Sequence, residues 1–482
     1  MQQSLTPGNG MLLPRTLHYF PANVAVLSVC GSCLGFHTKQ ILRARHFWTC
    51  SCPRALGRQR PLSVTIRYAS DKGTARGGAE PLWSPLKDFL GLDRLDTGQK
   101  LDISRRQLTE LLTTNDRTLI KSMYAVAEAA TTAYFGTKVY ARGIVEFSNV
   151  CTKDCFYCGI RKHTKVHRYT MTKEEILACA EFAYSQGMGT LMLQSGELPS
   201  PERINFMLDV VRAIRRRTMD LACESPPFPS AGPNQRDFPS QRGLAVALSL
   251  GELPSSVYQA FLEAGASRYL LRIETSNPTL YTRLHPASHS FQARRKCLEE
   301  LQRIGFQVGT GVMVGVPFQT VEDQANDLLF FKELDPDMIG LGPYIVQSQT
   351  PLGKLWLEEH GEESAAKQEA NRVALLERTT RMYALARIML GNVNIAATTA
   401  LEALDPEGRE LALRRGANVV MPIITPQRLR GQYEIYENKP GIDQDALDST
   451  ACLERRVRMA GKDLLLDGGW HDPPHFVRPS VE

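Results

Sequence analysis

Apolar runs and amphipathic segments alternate along the chain from residue 143 onward. Eight short aliphatic runs predict strands buried on both faces, as in a parallel sheet; they cover residues 143–147, 190–193, 244–250, 269–273, 307–314, 338–341, 393–396 and 418–421. Segments with helical spacing lie between most of them, at 172–186, 201–216, 255–264, 292–304, 321–333 and 365–389. This alternation predicts an α/β fold of βα units wound in one hand, and eight strands predict a TIM-like (βα)8 barrel.

The segments outside the barrel have different patterns. Residues 71–100 begin with a Gly-rich polar stretch and are interpreted as a linker. Residues 101–142 are predicted to form N-terminal helices, with an N-cap in the run that ends at Asp116. The barrel is expected over 143–436, followed by a C-terminal extension over 437–482.

Residues 219–241 contain Pro226, Pro227 and Pro229 and predict an inserted loop before the third strand. A retained intron is the alternative explanation. A loop at this place lies at the N-terminal end of the barrel, whereas active sites of such barrels lie at the opposite end.

Positive charge is concentrated at the start of the chain. The net charge of the 482 residues is +6, but residues 1–70 hold eight Lys and Arg and no acid, so the remainder carries −2. An Arg- and Ser-containing segment without acids is typical of an organelle transit peptide; a disordered or wrongly assigned extension is the alternative. We therefore expect cleavage of the leader and an organelle matrix as the destination, hydrogenosome or mitochondrion rather than plastid. The charge does not indicate nucleic acid binding, and no apolar run approaches the roughly 20 residues of a membrane span.

Three cysteines follow the first predicted strand at C-x3-C-x2-C spacing: Cys151, Cys155 and Cys158. Three thiolates can hold three irons of a cubane iron–sulfur cluster and leave the fourth iron open to a small molecule. Structural zinc sites and ferredoxin-type clusters normally have a fourth protein ligand. Three buried structural cysteines or a zinc site are the alternatives. The cysteines beyond the leader form an odd, unevenly spaced set, which indicates a reducing compartment rather than a disulfide framework.

Polar and glycine-rich stretches follow the predicted strands. Gln194 to Glu197 come after the second, Arg272 to Thr275 after the fourth and Thr398 with Thr399 after the seventh. In a barrel these positions meet at one rim. The sequence therefore predicts one active site there, beside the three cysteines.

Residues 100–436 resemble the radical S-adenosylmethionine (SAM) superfamily, and within it the HydE type of FeFe-hydrogenase maturase. Beyond the three cysteines, the resemblance rests on six motifs: Phe-Ser-Asn-Val before Cys151, and the stretches 157–161, 193–197, 268–278, 397–400 and 415–422. Methylornithine synthase and biotin synthase share the overall plan, so a methylornithine synthase-like mutase or a biotin synthase-like sulfur-insertion enzyme is the alternative. A non-catalytic iron–sulfur or zinc scaffold is the alternative from a different class.

The resemblance implies a radical SAM barrel with two cofactors, one 4Fe-4S cluster on the three cysteines and SAM. Reductive cleavage of SAM would then give a 5′-deoxyadenosyl radical. The implied SAM contacts are Tyr157 to the adenosine, Gln194, Ser195 and Gly196 to the methionine amine, Glu274 to the ribose or amine, and Arg294 to the carboxylate. An arginine fork suits a carboxylate geometrically, although Arg294 also stands in a charge run typical of a solvated face.

The substrate pocket is expected to be lined by Arg272, Thr398, Thr399, Met421 and Tyr436. An inward arginine with neighbouring hydroxyls makes a site for an anion or carboxylate; Arg272 could equally be a structural partner of Glu274. The resemblance implies an iron–carbonyl–cyanide cysteinate as substrate, processed toward the di-iron subcluster of FeFe-hydrogenase. It also implies sibling maturases and a ferredoxin- or flavodoxin-type electron donor as partners.

Several other residues are given ordinary roles. Glu252 is interpreted as part of a strand-end turn, and His285, His289 and His360 as surface residues. Many HydE proteins hold a second cluster on three C-terminal cysteines, but here Cys452 stands alone in the matching context. We therefore expect an ordinary thiol at Cys452 and no second cluster.

Overall fold

The computed structural model describes residues 82–224, 243–443 and 446–476. Its core is a closed sheet of eight parallel strands, in which each strand pairs with the next and β1 pairs with both β2 and β8. The strands are β1 Lys138–Ser148, β2 Thr190–Ser195, β3 Ala245–Ser249, β4 Ala266–Leu270, β5 Gln307–Val314, β6 Met338–Pro343, β7 Asn394–Ala397 and β8 Val419–Val420. The predicted TIM-like barrel is confirmed. The fourth strand begins and ends three residues earlier than predicted, which leaves Arg272 and Glu274 beyond its end.

Helices surround the barrel. The six predicted between the strands are present as α4 Lys173–Ser185, α5 Pro201–Glu224, α6 Ser255–Glu263, α8 Phe291–Ile304, α9 Val321–Leu334 and α11 Ala365–Leu390. The two predicted N-terminal helices are α2 Arg105–Thr113 and α3 Arg117–Phe135. The others are α1 Ser84–Phe89, α7 Pro278–Leu284, α10 Pro351–His360, α12 Thr399–Leu404, α13 Gly408–Arg414, α14 Gln427–Arg430 and α15 Ala446–Met459. No helix in the described ranges is long and apolar enough to cross a membrane.

Side-chain caps fix where the helices near the active rim begin. Thr172 and Thr320 start α4 and α9 with reciprocal capping boxes. The hydroxyl of Ser290 accepts a hydrogen bond from the Ala293 amide and starts α8. This start places Arg294 in the first turn of α8, on its buried side.

Three predicted boundaries are wrong. Strand β1 begins at Lys138, although the segment predicted as N-terminal helices extended to residue 142. Residues 84–89 of the predicted linker form α1, whose Leu86 is fully buried and donates its amide to the Ser122 hydroxyl at 3.0 Å. Helix α5 continues to Glu224, because no proline or glycine occurs before Pro226 to end it. The rest of the predicted insertion, the leader over 1–70 and the start of the linker lie outside the described residues.

The C-terminal segment closes the end of the barrel at which the strands begin. Strand β9, Asp463–Leu465, pairs in parallel with the start of β1. The indole of Trp470 donates to the Gly243 carbonyl at 2.8 Å, and Asp472 pairs with Arg268 at 2.7 Å. The barrel core is thereby covered at this end, opposite the rim where the predicted site residues lie.

Candidate active site at the barrel rim

A cavity of about 350 Å³ lies at the C-terminal ends of the strands. All fourteen side chains or backbone positions proposed from the sequence line it: Cys151, Cys155, Tyr157, Cys158, Gln194, Ser195, Gly196, Arg272, Glu274, Arg294, Thr398, Thr399, Met421 and Tyr436. The structure therefore brings the predicted residues together at one site. Their individual contacts to SAM and substrate stay predictions.

The three thiols lie on the cysteine loop, residues 149–168, which follows β1 without regular structure. The Arg168 guanidinium holds this loop by donating to the carbonyls of Asn149, Ile160 and Arg161 at 2.6, 2.8 and 2.6 Å. All three cysteines are free and half-buried. The loop thus presents three sulfur ligands to one cavity wall.

The chemistry of these thiols fits a bound iron–sulfur cluster. Burial raises the pKa of Cys158 to about 12 and also raises the pKa values of Cys151 and Cys155. Thiols with raised pKa values are poor nucleophiles, but iron binding ionises them. Three such thiols on one loop therefore suit a cluster better than nucleophilic catalysis.

Gly196 allows the end of β2 to lie directly against the cysteine loop. A Cβ atom at this position would stand 2.5 Å from the Val150 carbonyl oxygen and 2.7 Å from the Cys151 Cβ. Any larger residue would push the loop away. The backbone carbonyl of the next residue, Glu197, accepts hydrogen bonds from the amide and hydroxyl of Thr152 at 2.8 and 2.9 Å.

A network of four charged side chains supports the contact between the end of β2 and the cysteine loop. Arg294 lies 2.9 Å from Glu197 and 3.0 Å from Glu252, and Lys153 lies 2.8 Å from Glu252. Burial alone would raise the pKa of Glu197, but Arg294 and Lys153 outweigh it and hold that pKa below its usual range. The interpretation of Glu252 as a plain turn residue is therefore wrong. The repeated Gly-Glu pair at the ends of β2 and β3 was the available signal.

Arg272 and Glu274 form a bidentate ion pair at 2.9 and 3.0 Å. Arg272 also donates to the carbonyls of Gly340 at 3.0 Å and Val312 at 2.9 Å. Four of its five N–H groups thus have acceptors within the described chain. Arg272 is therefore a structural partner of Glu274, the alternative that the sequence left open. Both residues also line the cavity.

The inner part of the cavity combines hydroxyls with an apolar floor. The hydroxyls of Thr399 and Tyr436 lie 2.8 Å apart, and burial raises the pKa of Tyr436 to about 12, so its hydroxyl keeps its proton at neutral pH. Thr398 donates to the Leu341 carbonyl at 2.8 Å. Below them, the floor is formed by Ile144, Leu270, Met338 and Met421.

Residues 431–441, named here the C-terminal strap, cross the rim and were only partly predicted. Lys439 of the strap is buried against Glu146 of β1, with its Nζ 2.5 and 2.6 Å from the two carboxylate oxygens. The strap carbonyl of Ile435 accepts from the Gly159 amide at 2.9 Å. Glu146, an acid inside an apolar strand, was the signal for a buried cation.

The prediction that His285 and His289 are surface residues is wrong. Both are buried, because α7 and the turn after it pack on the cysteine loop. His285 lies 3.2 Å from the Tyr157 hydroxyl, and the Nδ1 atom of His289 lies 4.0 Å from the Cys155 sulfur. His360 is partly exposed.

Comparison with known proteins agrees with the barrel fold and with the site formed by the three thiols. The profile of the Radical SAM superfamily matches residues 145–331. The FeFe hydrogenase maturase subunit HydE of Thermotoga maritima is 38% identical over 373 residues, covering 77% of this chain and 95% of that protein. The crystal structure of methylornithine synthase superposes with a TM-score of 0.60 at 21% identity, covering 79% of this chain and 96% of that one. The maturase HydG of Carboxydothermus hydrogenoformans gives 0.58 at 16% identity, covering 79% and 78%.

The closed barrel, the three free thiols on one loop and the profile match define a radical SAM enzyme. Enzymes of this class use a 4Fe-4S cluster and SAM, and Cys151, Cys155 and Cys158 are the residues here that fit the cluster. The two structural neighbours support the fold alone. The extent and identity of the match to the Thermotoga protein are more specific: the chain belongs to the HydE family of radical SAM proteins.

Proposed function

We propose that this protein acts in assembly of the di-iron subcluster of FeFe-hydrogenase, on an iron–carbonyl–cyanide precursor that carries cysteine. The observation that carries the proposal is a single cavity in which polar groups lie between the three thiols and an apolar, thioether-containing floor. The relative named as a hydrogenase maturase supports it. Sibling maturases are the proposed partners that supply the precursor and receive the product.

The polar middle of the cavity suits the amino-acid part of such a substrate. Thr399 and Tyr436 present paired hydroxyls, and one N–H group of Arg272 is left over from its contacts within the described chain. Hydroxyls and a guanidinium together bind a carboxylate. Because Glu274 balances the charge of Arg272, binding here depends on hydrogen bonds more than on net charge.

The floor of the cavity suits the carbonyl and cyanide ligands on iron. Its side chains are aliphatic or thioether groups, and two of them are methionines, Met338 and Met421. Methionine is polarizable and adapts its shape to the neighbouring group. Such a floor solvates weakly polar diatomic ligands and excludes water from a reactive intermediate.

The wall near the cysteines orients SAM. When bound, the 4Fe-4S cluster supplies one electron to the sulfonium of SAM, which gives methionine and a 5′-deoxyadenosyl radical. The backbone edge from Gln194 to Gly196 lies against the cysteine loop and is proposed to hold the methionine amine. Tyr157 is proposed to contact the adenosine, Glu274 the ribose or amine, and Arg294 the carboxylate.

The double variant Thr399→Val/Tyr436→Phe tests the substrate site while keeping side-chain volume. Each lost hydroxyl should weaken substrate binding by about tenfold, so maturation of apo-hydrogenase with the sibling maturases should fall strongly. Dithionite-driven release of 5′-deoxyadenosine should stay within about twofold of the parent, because the change is away from the cysteines. Tyr124→Phe on α3 is the matched control. Unchanged maturation, or an equal loss of both activities, would contradict the assignment.

We also propose that the acid-free leader directs the protein to an organelle matrix, hydrogenosome or mitochondrion rather than plastid. The support is compositional: eight basic residues and no acid in residues 1–70. A fusion of residues 1–80 to a fluorescent protein, expressed in the source cells, should enter the organelle and lose its leader. Retention of the whole fusion in the cytosol would contradict this.

A further inference from the structure

We infer that a basic surface beside the cysteine loop docks an acidic one-electron carrier protein. The basic face, as it is named here, consists of Lys162 and Lys165 on the loop, Arg283 on α7, Lys354 on α10 and the exposed ring of Phe318. The inference rests on the proposed reductive cleavage of SAM, which consumes one electron per turnover. The carrier is oxidised by one electron and the protein's cluster is reduced by one, and no proton or group moves in this step.

The charge of the face is not cancelled by its neighbours. Residues 151–168 hold five Lys and Arg against one acid, Asp154, which is already paired with Arg161 and His163. Lys162 and Lys165 are exposed, and neither has a carboxylate within 4.0 Å among the described residues. The chain beyond residue 70 is net negative, so this patch stands out from the rest of the protein.

Backbone hydrogen bonds join the face to the loop that carries the thiols. The amide of Phe156, between Cys155 and Cys158, donates to the Leu284 carbonyl at 2.9 Å, and the Phe156 carbonyl accepts from Leu352 at 3.0 Å. These contacts bring α7 and the first turn of α10 onto the cysteine loop. The exposed acids of α10, Glu358 and Glu359, lie in its last turn instead. A carrier docked here approaches the thiols through the loop that holds them.

Phe318 gives the face an apolar contact point. Its ring is 37% exposed and stacks under the Arg283 guanidinium at 3.2 Å. Its backbone φ is 72°, a conformation that costs energy for an aromatic residue and that marks functional positions more often than ordinary loops. Aromatic residues and arginine are both enriched at protein–protein interfaces.

An acidic protein fits the face better than the other polyanions. Electron-transfer complexes are small and transient, and complementary charge speeds their encounter. The four cations of the face are the minimum for clusters that bind an anionic membrane, which hold about four to eight, and neither a membrane nor a nucleic acid supplies the electron that SAM cleavage consumes. The barrel end opposite the cysteines is covered by the C-terminal segment, so it offers no route to the thiols.

Two charge reversals test the inference, Lys162→Glu/Lys165→Glu on the loop and Arg283→Glu outside it. Binding of a bacterial flavodoxin should be measured at low ionic strength by calorimetry, with the full chain both without and with its reconstituted cluster. Each variant should bind flavodoxin about tenfold more weakly or worse, with a flatter salt dependence. Flavodoxin-driven SAM cleavage should fall likewise, whereas the dithionite-driven rate should stay within about twofold. Lys121→Glu is the control. Lys121 is exposed on α3, and this helix packs against α1 and α11 and not against the cysteine loop.

Unchanged flavodoxin binding in both variants would overturn the inference. Variants that lose binding to anionic vesicles or RNA but still bind flavodoxin as the parent does would also overturn it. An equal loss of dithionite-driven and flavodoxin-driven rates in both variants would also overturn it. Failure of the parent protein to cleave SAM with dithionite would instead refute the proposed function, and the calorimetric result would still decide the docking face.

Discussion

Arg294 shows how a single residue serves the site through its neighbours. Its side chain is 7% exposed and is shared between Glu197 and Glu252. The backbone carbonyl of Glu197 in turn accepts two hydrogen bonds from Thr152 on the cysteine loop. Arg294 therefore fixes the loop that carries the thiols, whether or not it also contacts the SAM carboxylate.

Arg294→Gln should leave two buried carboxylates with Lys153 as their remaining cation and cost about 3–5 kcal/mol of unfolding free energy. Adding Glu252→Gln should recover about 1–2 kcal/mol, because it removes one of the stranded charges. Urea unfolding of the cluster-free protein measures both. Strictly additive losses in the double variant would show that the ion pair does not exist in solution.

The residues of the site were predictable where a motif and a strand end coincided. The pairing of Glu146 with Lys439 was not predictable, because the two residues are far apart in sequence and only the folded strap brings them together. His285 and His289 were misplaced for a similar reason: their burial depends on α7 packing against the cysteine loop, which no local pattern reveals. Site residues within a local motif could be predicted from the sequence, whereas contacts between residues far apart in sequence could not.

At the scale of elements, α9 anchors the segment that carries Arg272 and Glu274. This segment lies beyond β4, and within the described part of the chain it meets β5 through one bridge, Glu274 with Val312, and three backbone hydrogen bonds. The Asp327 carboxylate accepts from the amide and hydroxyl of Ser276 at 2.6 and 2.7 Å, and Asp323 accepts from the Asn277 side chain at 2.7 Å. Helix α9 therefore holds this segment in place by side-chain hydrogen bonds, because β4 ends before it.

Burial raises the pKa of Asp327 to about 7. Between about pH 4 and 7 the folded protein holds a proton that the unfolded chain has released, so the unfolding free energy falls as pH rises through this window. The loss from this group between pH 5 and 8 should be about 2–3 kcal/mol. Asp327→Asn keeps the acceptor oxygen and should remove that part of the pH dependence in urea titrations. An unchanged slope would contradict the raised pKa.

Element boundaries followed the sequence wherever a breaker residue marked them. Helix α5 continues past its predicted end because no such residue occurs before Pro226. Helix α1 was missed because the Gly-rich stretch before it led to the whole of residues 71–100 being interpreted as a linker. Strand β4 shifted because the aliphatic run continues beyond the last paired residue, Leu270. Apolar character alone does not show where pairing stops.

At the scale of the molecule, the barrel is covered at one end and active at the other. The C-terminal segment seals the start of the strands, and the C-terminal strap crosses the rim above the cavity. Cys452 lies on α15 beside Arg456 and lines a separate small cavity with it. That the protein binds one cluster, at the cysteine loop and not at Cys452, stays a prediction.

SAM cleavage by the anaerobically reconstituted protein tests whether the three cysteines form a radical SAM centre. We expect about four irons per chain and, with dithionite and SAM, release of methionine and 5′-deoxyadenosine in equal amounts. Cys158→Ser should abolish the release and lower the iron content. Absence of cleavage with all three cysteines intact and iron bound, or persistence of cleavage in Cys158→Ser, would contradict this expectation.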